Sequence, residues 1–263
     1  MDLQLAGKGV VVTGGSKGTG LAVVKALLAE GAQVVAASRR ISTELKDTEA
    51  VHIAVDLTTP QGAVALVDQA IAALGRIDVL VNNVGIGDTD ELVKGAVLSL
   101  LDLSDADWQR TFDLHFYSAL RVTRAALPEL IENKGVVINV SSVGARLVSA
   151  GPAHYNVAKA ALNALTKVIA EQFGDQGVRA ITVAPGPIAT GVWTDPDGFI
   201  GRLAQREGIA HDTFVQQMTE TLGASTGRIS TPAEVARLIT FAVSPNNING
   251  AEYIIDGGIT KNV

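Results

Sequence analysis

Short runs rich in β-branched and other apolar residues recur along the chain with amphipathic stretches between them, and this alternation limits the possible folds more than any other feature. The runs fall at 10–12, 34–37, 51–55, 77–81, 136–140, 180–184 and 253–255. Most are apolar over nearly their whole length rather than alternating, as strands covered on both faces should be. Between them, 21–30, 61–74, 105–132, 152–173 and 232–243 carry apolar residues at three-to-four spacing, which predicts helices. Strand and helix in alternation imply an α/β fold: a doubly wound, mostly parallel sheet with helices on both faces. No repeat at solenoid periods and no Pro/Gly/Ser-rich linker divides the chain, so residues 1–263 are expected to form one domain.

Composition removes several classes of function. Only 18% of residues are charged against 47% hydrophobic, and the net charge of -6 comes without any basic stripe, so nucleic acid is not an expected partner. No apolar run is long enough for a membrane span, and the first residues lack the basic-then-apolar pattern of a signal peptide; the expectation is a cytoplasmic protein. The absence of cysteine rules out disulfides, cysteine-based zinc sites and thiol catalysis together.

Chemistry concentrates at the ends of the predicted strands. The first strand runs into Gly14, Gly15, Ser16, Lys17, Gly18, Thr19 and Gly20 and then into a helix. A strand, a glycine-rich turn and a helix N-terminus present N–H groups and a positive dipole end to a pyrophosphate. The second strand ends at Ser38, Arg39 and Arg40, where a dinucleotide fold that prefers NAD(H) places an acid on the ribose hydroxyls. Here Ser38 stands instead, Arg39 offers a planar fork for phosphate, and Lys17 adds a second cation, so NADP(H) is the expected cofactor. Two solvated arginines are the competing reading, stronger for Arg40 than for Arg39. Further on, Tyr155 and Lys159 lie four apart on a predicted helix and so share one face. A neighbouring ammonium is expected to favour the phenolate and bring Tyr155 toward working pH.

Thr13, Gly14, Gly18 and Gly20 with Tyr155 and Lys159 form Thr-Gly-x-x-x-Gly-x-Gly and Tyr-x-x-x-Lys, and the chain resembles the short-chain dehydrogenase/reductase family over its whole length. The resemblance implies a Rossmann-like fold and assigns further residues. Asp56 and Leu57 would meet the adenine. Asn82, Asn83, Val84 and Gly85 are similar to the family's Asn-Asn-Ala-Gly segment, with Val84 in place of alanine. Ser142, thirteen residues before Tyr155, matches the catalytic serine. Pro185, Gly186, Ile188 and Thr190 resemble the segment that holds the nicotinamide, and Asp256, Gly257 and Gly258 the ending after the last strand. Where the family has an asparagine in the long helix before the fifth strand, this chain has His115. It is read either as a proton relay to Lys159 or as an inward-facing packing residue alongside Phe112 and Ala119. His154, beside Tyr155, is not assigned to catalysis.

The implied activity is NADP(H)-dependent hydride transfer between nicotinamide and a ketone or secondary alcohol, with Tyr155 as general acid/base and no metal. A β-ketoacyl thioester reductase and a non-catalytic NADP sensor are the alternatives. The Tyr155 helix is apolar nearly all round, from Val157 and Ala161 to Val168, which suggests a homo-oligomer, dimer or tetramer, built on it. Residues 191–227, where the periodicity loosens around Trp193, Phe199, Arg202, Arg206, Phe214, Met218 and Leu222, are expected to form a lid or substrate wall.

Overall fold

Gly9–Thr13 form an inner strand, β1, of the computed structural model, and every one of these residues is buried. The structure describes residues 2–85, 89–148 and 151–261. After β1 come α1 (Gly18–Ala29), β2 (Gln33–Ser38), α2 (Thr43–Lys46), β3 (Val51–Ala54), α3 (Pro60–Leu74), β4 (Val79–Asn82), α4 (Thr89–Val97) and α5 (Asp105–Phe112). One π-helical turn, Asp113–Tyr117, leads into α6 (Ser118–Glu132), then β5 (Val136–Val140), α7 (Ala153–Phe173) and β6 (Arg179–Pro185). The chain closes with α8 (Gly191–Thr194), α9 (Phe199–Glu207), α10 (His211–Leu222), α11 (Pro232–Val243) and β7 (Glu252–Ile255). All seven strands are parallel, in the order β3-β2-β1-β4-β5-β6-β7.

The pleat of β1 explains why an unbroken apolar run suits it. Val10 and Val12 point into a core shared with Val23, Leu27 and Ile239 of α1 and α11. Val11 points the other way, toward Leu66, Val122 and Leu130 of α3 and α6. Alternate residues on one strand therefore feed two cores, and each needs an apolar side chain. Helix limits follow local chemistry. Thr59 caps α3 by accepting from the Gly62 N–H, Pro60 occupies its first turn, and Gly75 ends it at φ 75°.

A buried polar ladder crosses the sheet on its α6/α7 side. Asn82 Nδ2 donates to Thr123 Oγ1 at 3.0 Å and to Asn139 Oδ1 at 2.9 Å. Asn139 Nδ2 donates to Thr166 Oγ1 at 2.9 Å, which also accepts from Thr182 Oγ1 at 2.8 Å and donates to the Leu162 carbonyl. Each link is worth more made than broken in this dry setting, so the ladder fixes α6 and α7 against β4, β5 and β6.

One expectation is corrected: the single helix expected over 105–132 is interrupted by the π turn. Residues 191–227, expected as a lid or substrate wall, carry three helices, α8, α9 and α10. Their short lengths and the left-handed glycines that end two of them, Gly208 and Gly223, hide the periodicity. On α7, Val157 and Val168 are each 45% exposed, so the outer stripe is uncovered by this chain, while Lys159 and Leu162 face inward. None of the helices among the described residues is long and apolar enough to cross a membrane.

Candidate active site

Because β1 pairs with both β2 and β4, the strand order reverses at β1 and leaves a crevice above the ends of β1 and β4, where ligands of such sheets bind. Thr13, the last residue of β1, ties the two strand ends together. Its Oγ1 accepts from the backbone N–H of Asn83 at 3.0 Å and of Val84 at 3.2 Å. Asn83 Nδ2 returns the contact by donating to the Thr13 and Gly14 carbonyls.

The glycine turn is packed so that side chains have no room. A Cβ on Gly20 would collide with the Gly14 carbonyl and the Asn83 amide, and Gly14 and Gly18 take φ of 66° and 53°. Thr190 lies against Gly18, with its Cγ2 3.2 Å from where a Cβ would be, so the segment after β6 closes over the turn. Gly186 packs against Asp256 in the same way, and Pro185 ends β6. Ser16 faces inward: its Oγ accepts from the Ser42 N–H at 2.8 Å and its carbonyl accepts from Ser42 Oγ at 2.6 Å. These bonds fasten the turn to the segment that follows Arg40, a role that sequence spacing did not reveal for Ser42.

Lys17, Arg39 and Arg40 are exposed, and among the described residues neither guanidinium forms an ion pair. Ser38 Oγ contacts His52 Nε2 at 2.9 Å. Asp56 Oδ1 accepts from the Thr58 N–H and hydroxyl, which together with the Arg39 charge hold its carboxyl below the usual range. Leu57 turns its side chain into the core and leaves only its backbone to the crevice. Bare backbone at the start of α1, a collar of close contacts around it and unpaired cations beside it fit a phosphorylated dinucleotide.

The second half of the site sits at the start of α7. The Ser142 side chain stands beside the Tyr155 phenol and favours its charged form, and its Oγ accepts from the Gly144 N–H at 3.0 Å. Lys159 is 3% exposed, donates to the Val140 carbonyl at 2.9 Å, and lies 5.9 Å from the centre of the Tyr155 ring. Burial lowers its amine to about 8. The expectation that Lys159 would pull the phenol down is corrected: burial pushes Tyr155 above its ordinary value, and only the Ser142 side chain acts the other way. Residue spacing predicted the neighbour but not the loss of water, which favours the uncharged phenol.

His115, in the π turn, is 4% exposed and stands edge-on to Tyr155, with ring centres 4.9 Å apart at 88°. Its Nδ1 is buried without a hydrogen-bond partner among the described residues, and that nitrogen faces Gly85. Burial first, then the charges of Lys159 and His154, hold the imidazole neutral, well below its ordinary pKa. His154 is turned away against Trp108, with ring centres 6.1 Å apart, beneath Gly95 of α4. Ser141 bonds the Lys159 carbonyl and does not face the phenol. The structure thus brings together Ser142, Tyr155, Lys159 and His115, and places the glycine turn, Asn83, Thr190 and Arg39 along one crevice.

Comparison with known proteins agrees with this geometry. The sequence model described as short chain dehydrogenase matches residues 8–197. L-fucose dehydrogenase from Bos taurus is 31% identical over 272 residues, covering 98% of this chain and 91% of its own. The 3-alpha-(or 20-beta)-hydroxysteroid dehydrogenase of Mycobacterium tuberculosis is 30% identical over 267 residues, again covering 98% and 91%. Among solved structures, L-sorbose reductase from Gluconobacter frateurii, complexed with NADPH and L-sorbose, superposes with a TM-score of 0.89 at 29% identity over 100% of both chains.

The buried amine has a consequence for stability. Lys159 titrates at about 8 when folded and near 10.5 when exposed, so between these values the unfolded chain holds more protons. Stability from this group therefore rises with pH through that window and is flat below it. Denaturant titrations at pH 8 and 9.5 are expected to show the native protein gaining about 1–2 kcal/mol relative to Lys159→Met. An equal pH dependence in the two proteins would contradict the buried amine.

Proposed function

Because the chain belongs to the short chain dehydrogenase family, we propose that it is an NADP(H)-dependent oxidoreductase that interconverts a ketone and a secondary alcohol. The observation that carries the proposal is the phenol of Tyr155 with the Ser142 side chain near it and Lys159 beside its ring, at the ends of β4 and β5. The dinucleotide would be held by the Gly14–Gly20 turn at its pyrophosphate and by Asp56 and the Leu57 backbone at its adenine. Arg39, with Arg40 and Lys17, would meet its 2′-phosphate. Asn83, Gly85, Lys159, Pro185, Gly186, Ile188 and Thr190 would border the nicotinamide and its ribose. When bound, the reduced nicotinamide supplies hydride to the carbonyl carbon.

The protein's own groups handle the proton. Ser142 hydrogen-bonds the carbonyl oxygen, and Tyr155 donates its phenolic proton to that oxygen. Burial suits the phenol to this task, since it keeps the group protonated at neutral pH until the oxygen becomes basic enough to take the proton. Lys159, whose amine titrates at about 8, places a cation beside the phenolate that remains. His115, neutral and with one nitrogen unpartnered among the described residues, passes a proton onward between this pair and the outside. The helices of 191–227 form the substrate wall, with α9 packed on α4 across the mouth of the crevice.

Tyr155→Phe is expected to lower turnover by roughly 10² to 10⁴-fold, the usual contribution of a placed general acid, with NADPH affinity almost unchanged. Steady-state rates with a ketone and fluorescence titration with NADPH check both halves; an active phenylalanine variant would sink the assignment. For His115, pH-rate profiles of the native enzyme and His115→Asn are expected to differ on the acid side, below the ordinary imidazole value, where the native rate falls and the variant's does not. Superimposable profiles would remove His115 from the proton path.

A further inference from the structure

The edge of the sheet beside Arg39 carries a hydrogen-bonded chain that the catalytic reading does not use. β3 runs alongside β2 with Ala36 opposite His52 and Ser38 opposite Ala54. Successive residues of a strand alternate faces, so His52 and Ser38 lie on the same side of the sheet. Ser38 Oγ is 2.8 Å from the Arg40 carbonyl and 2.9 Å from His52 Nε2. A hydroxyl has one proton to give and a carbonyl can only accept, so that proton belongs to the Arg40 bond. The contact with His52 is then the imidazole Nε2–H donating into the serine oxygen. Both bonds are satisfied only in this direction, which fixes the tautomer of His52: Nε2 carries the proton.

The result is a directed relay of hydrogen bonds, imidazole to hydroxyl to carbonyl, that ties the turn after β2 back onto β3. Arg39 lies inside that turn and Arg40 ends it, both exposed and both free of ion pairs among the described residues. Two long cations on an untethered turn would spend most of their time away from any one point in space. A donation into Oγ also polarises the hydroxyl and strengthens the bond it gives to Arg40. Nothing in this arrangement touches the crevice where the nicotinamide end would lie, so its effect is confined to whatever meets the two guanidiniums.

We propose that His52 is a positioning residue for cofactor choice: through Ser38 it holds the Arg39–Arg40 turn where the guanidiniums meet the 2′-phosphate of NADP(H). This rests on the NADP(H) reading given above. The selectivity of the enzyme is then set by a residue on a second strand as well as by the turn itself.

The test is a set of NADPH and NADH dissociation constants for the native enzyme, His52→Val, Ser38→Ala and the double variant. His52→Val is expected to weaken NADPH by roughly three- to tenfold, the value of one intramolecular hydrogen bond, and to leave NADH unchanged. Ser38→Ala, which cuts the same chain one link later, is expected to show the same split, and the double variant to be no weaker than Ser38→Ala alone. An equal loss for both cofactors in His52→Val, or losses that add in the double variant, would overturn the proposal while leaving the NADP(H) reading intact. Equal affinity of the native enzyme for NADPH and NADH would overturn the cofactor reading and this proposal with it.

Discussion

A buried amine with one main-chain carbonyl as its hydrogen-bond partner sets the character of this site. Lys159 has lost almost all contact with water and has no carboxylate partner among the described residues, so its charge is costly and its proton is loosely held. The same dryness keeps Tyr155 protonated and His115 neutral. Three groups that would titrate far apart in water are thereby moved, each toward its uncharged form, within one packed volume. A site built this way can move a proton with less solvent reorganisation than one open to water.

Holding such a volume closed requires a rigid floor and a fixed helix. The floor is the joined ends of β1 and β4, where Thr13 and Asn83 bond across the crevice and leave backbone alone to face the ligand side. The helix is α7, pinned near its middle by Thr166 to Asn139 and Thr182 and covered at its start by α4, which crosses His154 at Gly95. Ser142 and Tyr155 therefore reach each other from different elements without depending on a flexible loop. The cofactor side is tied down in parallel, through Ser16 to Ser42 and through His52 to Ser38, so both halves of the crevice are set by bonds outside it.

Much of this was legible in the residues because the fold places chemistry at strand ends. Mainly apolar runs identified all seven strands, and the glycine spacing after the first marked a turn where backbone must be bare. Tyr155 with Lys159 followed from their four-residue spacing on one helix, and Ser142 from the resemblance to the short-chain dehydrogenase/reductase family. What escaped shares a physical cause: it depends on main-chain partners, on burial, or on contacts between distant segments. The acceptor for Lys159 is the carbonyl of Val140, which any residue would supply. The rise of the Tyr155 pKa comes from lost water, which spacing does not encode. The π turn at His115 comes from one residue too many for the α-helical period, and a three-to-four pattern reads through it unchanged. Ser42 and His52 act on residues 26 and 14 positions away.

The central claim is that this crevice drives hydride from NADPH onto a carbonyl carbon while Tyr155 protonates the oxygen. The most direct measurement is mass spectrometry of the alcohols formed from a panel of ketones, keto sugars and β-ketoacyl thioesters, with NADPH carrying deuterium at the transferring position of the nicotinamide. The account predicts one deuterium on the carbinol carbon of the product from at least one of these classes. Tight NADPH binding with no deuterium transferred to any of them would contradict it and leave a nucleotide-binding protein without this chemistry.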